Sequence, residues 1–208
     1  MRFLIVDDHP MVRTSLTQVL RHHFAASAID QAEDAASASQ KFGQAQYDLI
    51  LLDLDLPDRG GLDLLRDIRS ANPKTRVLVL SGASELDYGQ MALSAGAAGF
   101  VPKTSAEPQI LEAIQRVLSG RRYFTQNLAE TLADVRAGVS PRAPHLTLST
   151  REFEVLRLFG GGYAPSEIAT RLHLSIKTIS TYRARILKKL SLRTSGDLVR
   201  YAVTHKLV

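Results

Sequence analysis

The feature that most constrains the fold of this chain is the alternation of short apolar runs with segments of helical spacing over its first 120 residues. Runs of four or so apolar residues without polar alternation are typical of parallel strands buried on both faces. Five such strands, the second weaker than the others, alternate with five helices and predict an α/β domain with a doubly wound parallel sheet. The expected strands end near residues 6, 32, 52, 81 and 101.

Polar residues follow four of these strands at the point where each strand ends. Asp7 and Asp8 follow the first strand, Asp53 follows the third, Ser81 ends the fourth, and Lys103 follows the fifth. Because ligands of open α/β sheets bind outside the carboxyl ends of the strands, we expect these side chains to converge on one crevice. Three carboxylates repel one another unless a cation joins them, and oxygen ligands with room for water suit Mg²⁺. The pattern predicts a phosphoryl pocket with Mg²⁺ as its cofactor.

The distribution of charge predicts two domains joined by a linker. Residues 1–120 contain 11 Lys and Arg against 15 Asp and Glu, a net charge of −4, whereas residues 145–208 contain 11 against 4, a net charge of +7. An acidic half joined to a basic half indicates that only the C-terminal part meets a polyanion, most simply nucleic acid. Residues 121–144 carry Gly and Pro breaks and are expected to form the linker, with room for one short helix over 128–135.

Composition narrows the remaining classes of protein. The chain has no cysteine, which excludes disulfides, thiolate metal sites and cysteine nucleophiles. No apolar stretch approaches the roughly 20 residues that cross a bilayer, and the first residues do not read as a signal peptide. We therefore expect a cytoplasmic protein with no membrane partner.

Residues 145–208 have the pattern of a four-helix unit. Ser149 and Glu152 have the spacing of a capping box, so a helix is expected from about residue 150 to the glycines at 160–162. Further helices are expected over about 165–172, 177–190 and 195–206. Two short helices joined by a tight turn, the second of them rich in basic residues, predict a helix-turn-helix.

The third of these helices has two different faces. Its apolar stripe consists of Ile179, Ile186, Leu187 and Leu190. A solvated basic face is the commoner explanation of such a charge pattern, but here the face follows a helix and a tight turn. Small residues on it permit close approach to base edges, and the cations reach phosphates or guanine. The candidate residues for binding double-stranded DNA are Lys177, Ser180, Thr181, Ala184, Arg185 and Lys188.

Several motifs together resemble the two-component response regulators of the NarL/FixJ family, which carry a LuxR-type helix-turn-helix. In the first domain the motifs are Ile5 to His9, Leu52 to Pro57 and Gly96 to Lys103. In the second domain they lie at 148–156, 166–169, 174–179 and 187–190. The resemblance covers nearly the whole chain. It implies a receiver domain followed by a DNA-binding domain, and a transcription regulator controlled by phosphorylation rather than an enzyme.

The resemblance also implies a role for each site residue. Asp53 would be the phosphoacceptor, and Asp8, Asp53 and the backbone carbonyl of Asp55 would bind Mg²⁺, with Asp7 assisting through water. Ser81 and Lys103 would bind the phosphoryl group, and Phe100 would be an aromatic switch. The implied partners are a sensor histidine kinase, DNA and RNA polymerase, together with a second copy of the chain on activation. The implied dimerisation surface is the fourth C-terminal helix, with Leu198, Val199 and Ala202.

Two other functions are compatible with parts of the pattern. Asp53 and Asp55 have the D-x-D spacing of haloacid-dehalogenase-type phosphatases, although Pro57 departs from that motif. Alternatively, the protein binds DNA constitutively and its first domain is only a protein-interaction module. Hydrolysis of small phosphomonoesters would favour the first alternative, and absence of acyl-phosphate labelling at Asp53 would favour the second.

Overall fold

The computed structural model describes residues 1–25, 27–82, 85–124, 144–205 and 207–208, and for 85–87 it describes the backbone alone. The chain divides into two compact units, Met1–Pro141 and Arg142–Val208. Within the described residues, no helix is both long enough and apolar enough to cross a membrane. The predicted linker helix over 128–135 lies outside the described residues, so the boundaries at 120 and 144 stay predictions.

The first unit is an α/β domain in which strands and helices alternate as predicted. Its strands are all parallel and form one sheet in the order β2-β1-β3-β4-β5. The strands are β1 Arg2–Val6, β2 Ala28–Ala32, β3 Leu49–Leu52, β4 Val77–Ser81 and β5 Gly99–Pro102. The helices are α1 Pro10–His23, α2 Ala35–Gln44, α3 Gly61–Ala71, α4 Glu85–Ser94 and α5 Glu107–Leu118.

The core of this domain lies on the central strands. Every residue of β3 and β4 is buried, as expected for strands covered by helices on both faces. The strand order reverses between β1 and β3, because the chain adds β2 on one side of β1 and the later strands on the other. The crevice at such a point is the usual ligand site of a doubly wound sheet. In the register of these two strands Val6 lies opposite Leu52. The residues that follow them, Asp7 and Asp53, are therefore neighbours at this edge.

The second unit is helical. It begins with a 3-10 helix, Pro144–Thr147, which the sequence pattern did not predict. The α-helices that follow are α6 Thr150–Gly160, α7 Pro165–Arg171, α8 Ile176–Leu190 and α9 Ser195–Thr204. They agree with the expected four helices, except that α8 begins one residue earlier and α9 ends at Thr204 rather than near 206.

Local capping interactions fix the ends of these helices. The predicted capping box of α6 is present, since the Ser149 hydroxyl accepts from the Glu152 N–H and the Glu152 carboxylate accepts from the Ser149 N–H. The turn between α7 and α8 contains His173, whose φ of 54° is left-handed. Ser175 then caps α8 by accepting from the Thr178 N–H. The two helices form the predicted helix-turn-helix.

Candidate functional site

The carboxyl edge of the sheet brings the predicted acidic residues together. The ligand atoms of Asp7, Asp8, Asp53 and His9 all lie within 4.8 Å of one another. Backbone hydrogen bonds fix two of these residues, because the Asp7 N–H donates to Ala32 O at 3.1 Å and the Asp53 N–H donates to the carbonyl at the end of β1 at 2.8 Å. The four side chains form a cluster that we call the acidic site.

Lys103 closes the acidic site from the end of β5. Its Nζ lies 2.7 Å from Oδ2 of Asp53 and 2.7 Å from Oδ2 of Asp7. The Lys103 N–H donates to the Ser81 carbonyl at 2.8 Å, so the end of β4 holds the lysine backbone in place. The sequence therefore placed Asp7, Asp53, Ser81 and Lys103 correctly at one edge of the sheet.

The two oxygens of Asp53 have different surroundings. Oδ2 accepts a hydrogen bond from Lys103, whereas Oδ1 is buried and has no hydrogen-bond partner among the described residues. Burial raises the pKa of Asp53 to about 6, with Lys103 opposing the rise and Asp7 adding to it. An unpartnered buried carboxylate oxygen is costly unless a cation or a reacting group takes it up. This oxygen is therefore the one available for chemistry.

Burial and ion pairing act in opposite directions on Lys103. Burial by itself lowers its pKa, but the hydrogen bonds and charges of Asp53 and Asp7 outweigh this effect and the pKa is raised. Lys103 is therefore a cation at neutral pH. It neutralises one of the carboxylate charges and leaves the remainder for a second cation.

His9 belongs to the acidic site, although the sequence pattern gave it no role. Its Nδ1 lies 2.5 Å from Oδ1 of Asp8 and 3.2 Å from Oδ1 of Asp7. Its backbone N–H donates to Asp7 Oδ1 at 2.8 Å. The signal available in the sequence was its position directly after the Asp pair. Asp55, by contrast, is exposed two residues after Asp53.

The loop after Asp53 is held in a compact form. The Gly61 N–H donates to Leu54 O at 2.9 Å. A Cβ at Gly61 would lie 2.2 Å from the Asp53 carbonyl oxygen, so only glycine permits this close approach. The Asp58 carboxylate accepts from the N–H groups of Ala35 and Ala36, at 2.9 Å each. Asp58 thus ties the loop to the start of α2, an interaction that joins distant parts of the chain.

The residues predicted for switching are buried beside this edge. Ser81 is fully buried at the end of β4, and Phe100 is 1% exposed on the neighbouring strand β5. In the register of the two strands, Phe100 lies opposite Val79, two residues before Ser81. Phe100 packs in the interior in this structure.

The exposed face of α8 carries every residue predicted to contact DNA. Of the predicted apolar stripe, Ile179, Ile186 and Leu190 are buried and Leu187 is half-buried. The opposite face is exposed to solvent and consists of Lys177, Ser180, Thr181, Ala184, Arg185 and Lys188. We call these six residues the α8 face.

Two other cations of α8 have partners within the same unit. Lys189 Nζ lies 2.6 Å from Oε2 of the buried Glu152, so this lysine joins α8 to the capping box of α6. Arg183 Nη1 donates to the Ser195 hydroxyl at 2.9 Å. The α8 cations that form no such contact with the described residues, Lys177, Arg185 and Lys188, belong to the α8 face.

The prediction for the dimerisation surface needs a correction. Leu198 and Ala202 are fully buried, whereas Val199 is 36% and Val203 is 58% exposed. A Cβ added at Gly160 of α6 would lie 2.4 Å from the Ala202 Cβ, which shows how closely the two helices pack. Leu198 and Ala202 therefore belong to the core of the second unit. The apolar surface that α9 presents to solvent is Val199 with Val203.

The first domain has an acidic site, with Lys103 beside it, at the edge of a doubly wound sheet, and the second domain has a helix-turn-helix. This combination is typical of a signalling domain joined to a DNA-binding domain. Residues 3–115 match the family described as "Response regulator receiver domain", and residues 146–202 match "Bacterial regulatory proteins, luxR family". The chain belongs to the two-component response regulators with a LuxR-type DNA-binding domain, the NarL/FixJ class. It is a transcription regulator controlled by phosphorylation, so the phosphatase alternative is set aside.

Relatives and solved structures resemble the chain over nearly its whole length. The Fimbriae Z protein of Salmonella typhimurium is 36% identical over 207 residues, which cover 99% of this chain and 97% of that protein. RcsB from Salmonella enterica serovar Typhimurium, bound to promoter rprA in the presence of the phosphomimetic BeF3-, has a TM-score of 0.58 with 27% identity and 97% of each chain covered. A structure of two RcsB dimers bound to two parallel DNAs has a TM-score of 0.59 with 26% identity, covering 98% of each chain.

Proposed function

We propose that Asp53 is the residue that accepts the phosphoryl group. The observation that carries this proposal is the asymmetry of its carboxylate, in which Lys103 holds Oδ2 while Oδ1 has no hydrogen-bond partner in the described ranges. The free oxygen attacks phosphorus, an O–P bond forms, and the bond from phosphorus to the donor's leaving group breaks. The donor is a phosphohistidine of a sensor histidine kinase or a small acyl phosphate. The product is an acyl phosphate on Asp53.

The acidic site suits Mg²⁺ as the cofactor of this transfer. The carboxylates of Asp53 and Asp8 would bind the ion, with the Asp55 backbone carbonyl as a third ligand and Asp7 acting through water. The fit rests on the close cluster of carboxylate oxygens from Asp7, Asp8 and Asp53, because a hard divalent cation prefers oxygen ligands. Bound there, the ion would neutralise charge on the oxygens of the transferred group.

Phosphorylation would change the contacts of three residues near the edge of the sheet. Lys103 would exchange an oxygen of Asp53 for an oxygen of the phosphoryl group. Ser81 would move toward the same group as a hydrogen-bond donor, and the vacated space would accommodate Phe100. Because Ser81 and Phe100 are both buried on neighbouring strands, a displacement of one changes the packing of the other. This local change of charge would select between two states of the receiver surface.

The output of the switch is sequence-specific binding of double-stranded DNA through the α8 face. Arg185 and Lys188 would contact phosphates or guanine, and the small residues Ser180, Thr181 and Ala184 would allow the helix to approach base edges. Two copies of the chain would bind two half-sites, with Val199 and Val203 at the contact between C-terminal domains. Structures of RcsB with promoter DNA and with two dimers on DNA support this arrangement by analogy. RNA polymerase is the expected downstream partner, and the cytoplasm is the expected location.

Incorporation of phosphate from labelled acetyl phosphate tests the proposal. The wild-type protein should incorporate phosphate in a Mg²⁺-dependent reaction, and Asp53→Asn should abolish the incorporation. Asp55→Asn is a matched control because it keeps the backbone carbonyl and removes a carboxylate two residues away. Labelling of the Asp53→Asn protein at the wild-type level would reject the assignment. A wild-type protein that takes up no phosphate but binds DNA would instead favour constitutive DNA binding.

A further inference from the structure

A cleft with a high density of positive charge lies at the opposite end of the receiver sheet from the acidic site. It is found where β4 and β5 begin, beyond Val77 and Gly99, and has a volume of about 140 Å³. Five cations are among the residues that line it. We call this set the basic cleft: Arg69, Lys74, Arg76, Arg121 and Arg122.

Among the described residues, no acidic side chain that lines the basic cleft balances its charge. None of the residues that line the cleft is acidic. Within the part of the chain that the structure describes, Lys74, Arg76, Arg121 and Arg122 form no ion pair. Residues 1–122, which include all five cations, contain 13 Lys and Arg against 15 Asp and Glu, a net charge of −2, so a general excess of cations does not explain the cluster. Like charges this close together repel one another, and a bound anion would relieve that repulsion.

Backbone contacts hold the central arginine of the cleft in place. Arg69 Nη1 donates to Thr75 O at 3.0 Å and also to Pro73 O. Gly96, with a φ of +99°, allows the side chain to lie against the next loop, since a Cβ there would lie 2.9 Å from Arg69 Nε. The fixed guanidinium has lost its conformational entropy before any ligand arrives, which favours binding.

Two of the other cations, Arg76 and Arg121, are also fixed by backbone hydrogen bonds. The Arg76 carbonyl accepts from the Ile50 N–H at 2.9 Å, at the start of the sheet. The Arg121 N–H donates to Arg116 O at 3.0 Å, which ties it to the last turn of α5. The basic cleft is thus built on the amino ends of two strands and the end of a helix.

We propose that the basic cleft binds a phosphate-bearing anion. Planar guanidinium groups match the geometry of phosphate oxygens and bind them in pairs of hydrogen bonds. Pockets for drug-sized ligands begin at about 300 Å³, so this smaller volume suits one or two phosphoryl groups without a nucleoside. The phosphate could belong to a free oligophosphate or to the backbone of DNA. The site is distinct from Asp53, and the inference does not depend on the proposed function of that residue.

Calorimetric titration of the full-length protein with inorganic pyrophosphate in Mg²⁺-free buffer tests whether the cleft binds a free oligophosphate. Arg76→Gln and Arg122→Gln should each weaken pyrophosphate binding by about tenfold, the loss that corresponds to a single charge-assisted contact. Arg21→Gln is the matched control, because Arg21 is an exposed arginine of the same domain on α1. The control should bind pyrophosphate as the wild type does.

Titration with a DNA duplex of arbitrary sequence at several salt concentrations tests whether the cleft binds the phosphates of the DNA backbone. If DNA phosphate enters the cleft, Arg76→Gln and Arg122→Gln should each lower the salt slope by about one, and Arg21→Gln should not. An effect on pyrophosphate alone would identify a free anion, and an effect on the slope would identify the DNA backbone. The proposal is overturned if neither measurement changes, or if Arg21→Gln weakens binding as much as the cleft variants.

Discussion

The ammonium nitrogen of Lys103 lies 2.7 Å from Oδ2 of Asp53. The two residues are 50 positions apart in the chain and follow different strands of the sheet, β5 and β3. The Asp53 side chain is fully buried and the Lys103 side chain is 17% exposed, and a second carboxylate, Asp7, lies on the other side of the lysine. The lysine is therefore the internal counter-ion of the acidic site. Any cation or phosphoryl group that enters the site changes the partners of this lysine.

Replacement of Lys103 by Gln should destabilise the receiver domain. Without the ammonium group, two buried carboxylates face each other, and removal of one partner from a buried pair costs about 3–5 kcal/mol. Mg²⁺ should restore part of the free energy of unfolding, because a divalent cation neutralises the same carboxylates. Hydrogen exchange of the β3 and β5 amides, with and without Mg²⁺, measures both effects. Lys41→Gln on α2 is the control, and equal protection in all the proteins would refute the role of Lys103.

The Asp53→Asn protein should be more stable than the wild type at pH 7.5 in the absence of Mg²⁺. The pKa of Asp53 is raised to about 6 in the folded protein, from an ordinary value of 3.8, mainly by burial. The protonated carboxyl is therefore favoured in the folded protein. Its contribution to the free energy of unfolding is complete below about pH 4 and is lost as the pH rises through 6. Above pH 6 the ionised group costs about 1–3 kcal/mol, which the amide avoids. A variant less stable than the wild type at pH 7.5 would contradict this account.

The C-terminal domain should lose stability in acid because of His145. Burial lowers the pKa of His145 from 6.5 to about 4, and the charge of His205 adds to the shift. Its Nδ1 lies 3.1 Å from the Tyr201 hydroxyl, and the His145 and Tyr201 rings meet edge-on between the 3-10 helix and α9, with their centroids 5.9 Å apart. A depressed folded pKa gives stability that is present above pH 6.5 and is lost as the pH falls toward 4, by about 3 kcal/mol.

Hydrogen exchange of α6 and α9 between pH 7 and pH 4.5 measures the effect of His145, after correction for the intrinsic exchange rate. His145→Phe should remove most of the pH dependence. His173→Asn is the control, because His173 is exposed in the turn before α8 and asparagine tolerates its left-handed φ. A His145→Phe protein with the full wild-type dependence would assign the effect to another group.

Arg185→Ala and Lys188→Ala should each weaken DNA binding and lower the salt slope by about one per lost phosphate contact. If Arg185 reads guanine instead, its loss should cost about 1–3 kcal/mol and relax the preference at one base pair. Arg200→Ala is the control, since Arg200 is an exposed cation of α9 in the same domain. Fluorescence anisotropy with a labelled duplex makes the comparison. Wild-type affinity and slope in both variants would place the DNA-binding surface elsewhere.

Val199→Glu should reduce cooperative binding to a fragment with two half-sites and leave binding to one half-site unchanged. Val199 is partly exposed on α9, so a carboxylate there remains solvated in the monomer and is desolvated only in a dimer. Leu198→Glu should instead unfold the domain, because that side chain is fully buried. Sedimentation velocity with and without DNA distinguishes the two results. Unchanged cooperativity in the Val199→Glu protein would exclude this surface.

The sequence predicted the sheet and the acidic site because both depend on local pattern. Continuous apolar runs identify parallel strands, and the residue after each strand must lie at the carboxyl edge, as Asp53 and Lys103 do. Two of the three residues predicted for the dimer surface, Leu198 and Ala202, are buried instead, for a different reason. Leu198 and Ala202 form one i, i+4 row of α9 and Val199 and Val203 form the adjacent row. Only the packing against α6 decides which row is buried.

Interactions between distant parts of the chain could not be predicted from the sequence either. Lys189 pairs with Glu152, which is 37 residues away. Asp58 caps the start of α2 from the loop after β3. The basic cleft gathers Arg69 and Arg122 from segments that have no common motif. Each of these contacts depends on tertiary geometry, which spacing along the sequence does not encode.

The measurement that tests the central claim most directly is DNA affinity with and without beryllofluoride, the phosphoryl mimic, in the presence of Mg²⁺. The duplex is selected from a random pool by the beryllofluoride-treated protein. Coupling between two sites is usually 5- to 150-fold, so the wild-type protein should bind this duplex about tenfold or more tightly with the mimic. The Asp53→Asn protein should show no difference. Equal affinity of the wild type in both conditions, or an equal gain in the Asp53→Asn protein, would contradict control of DNA binding through Asp53.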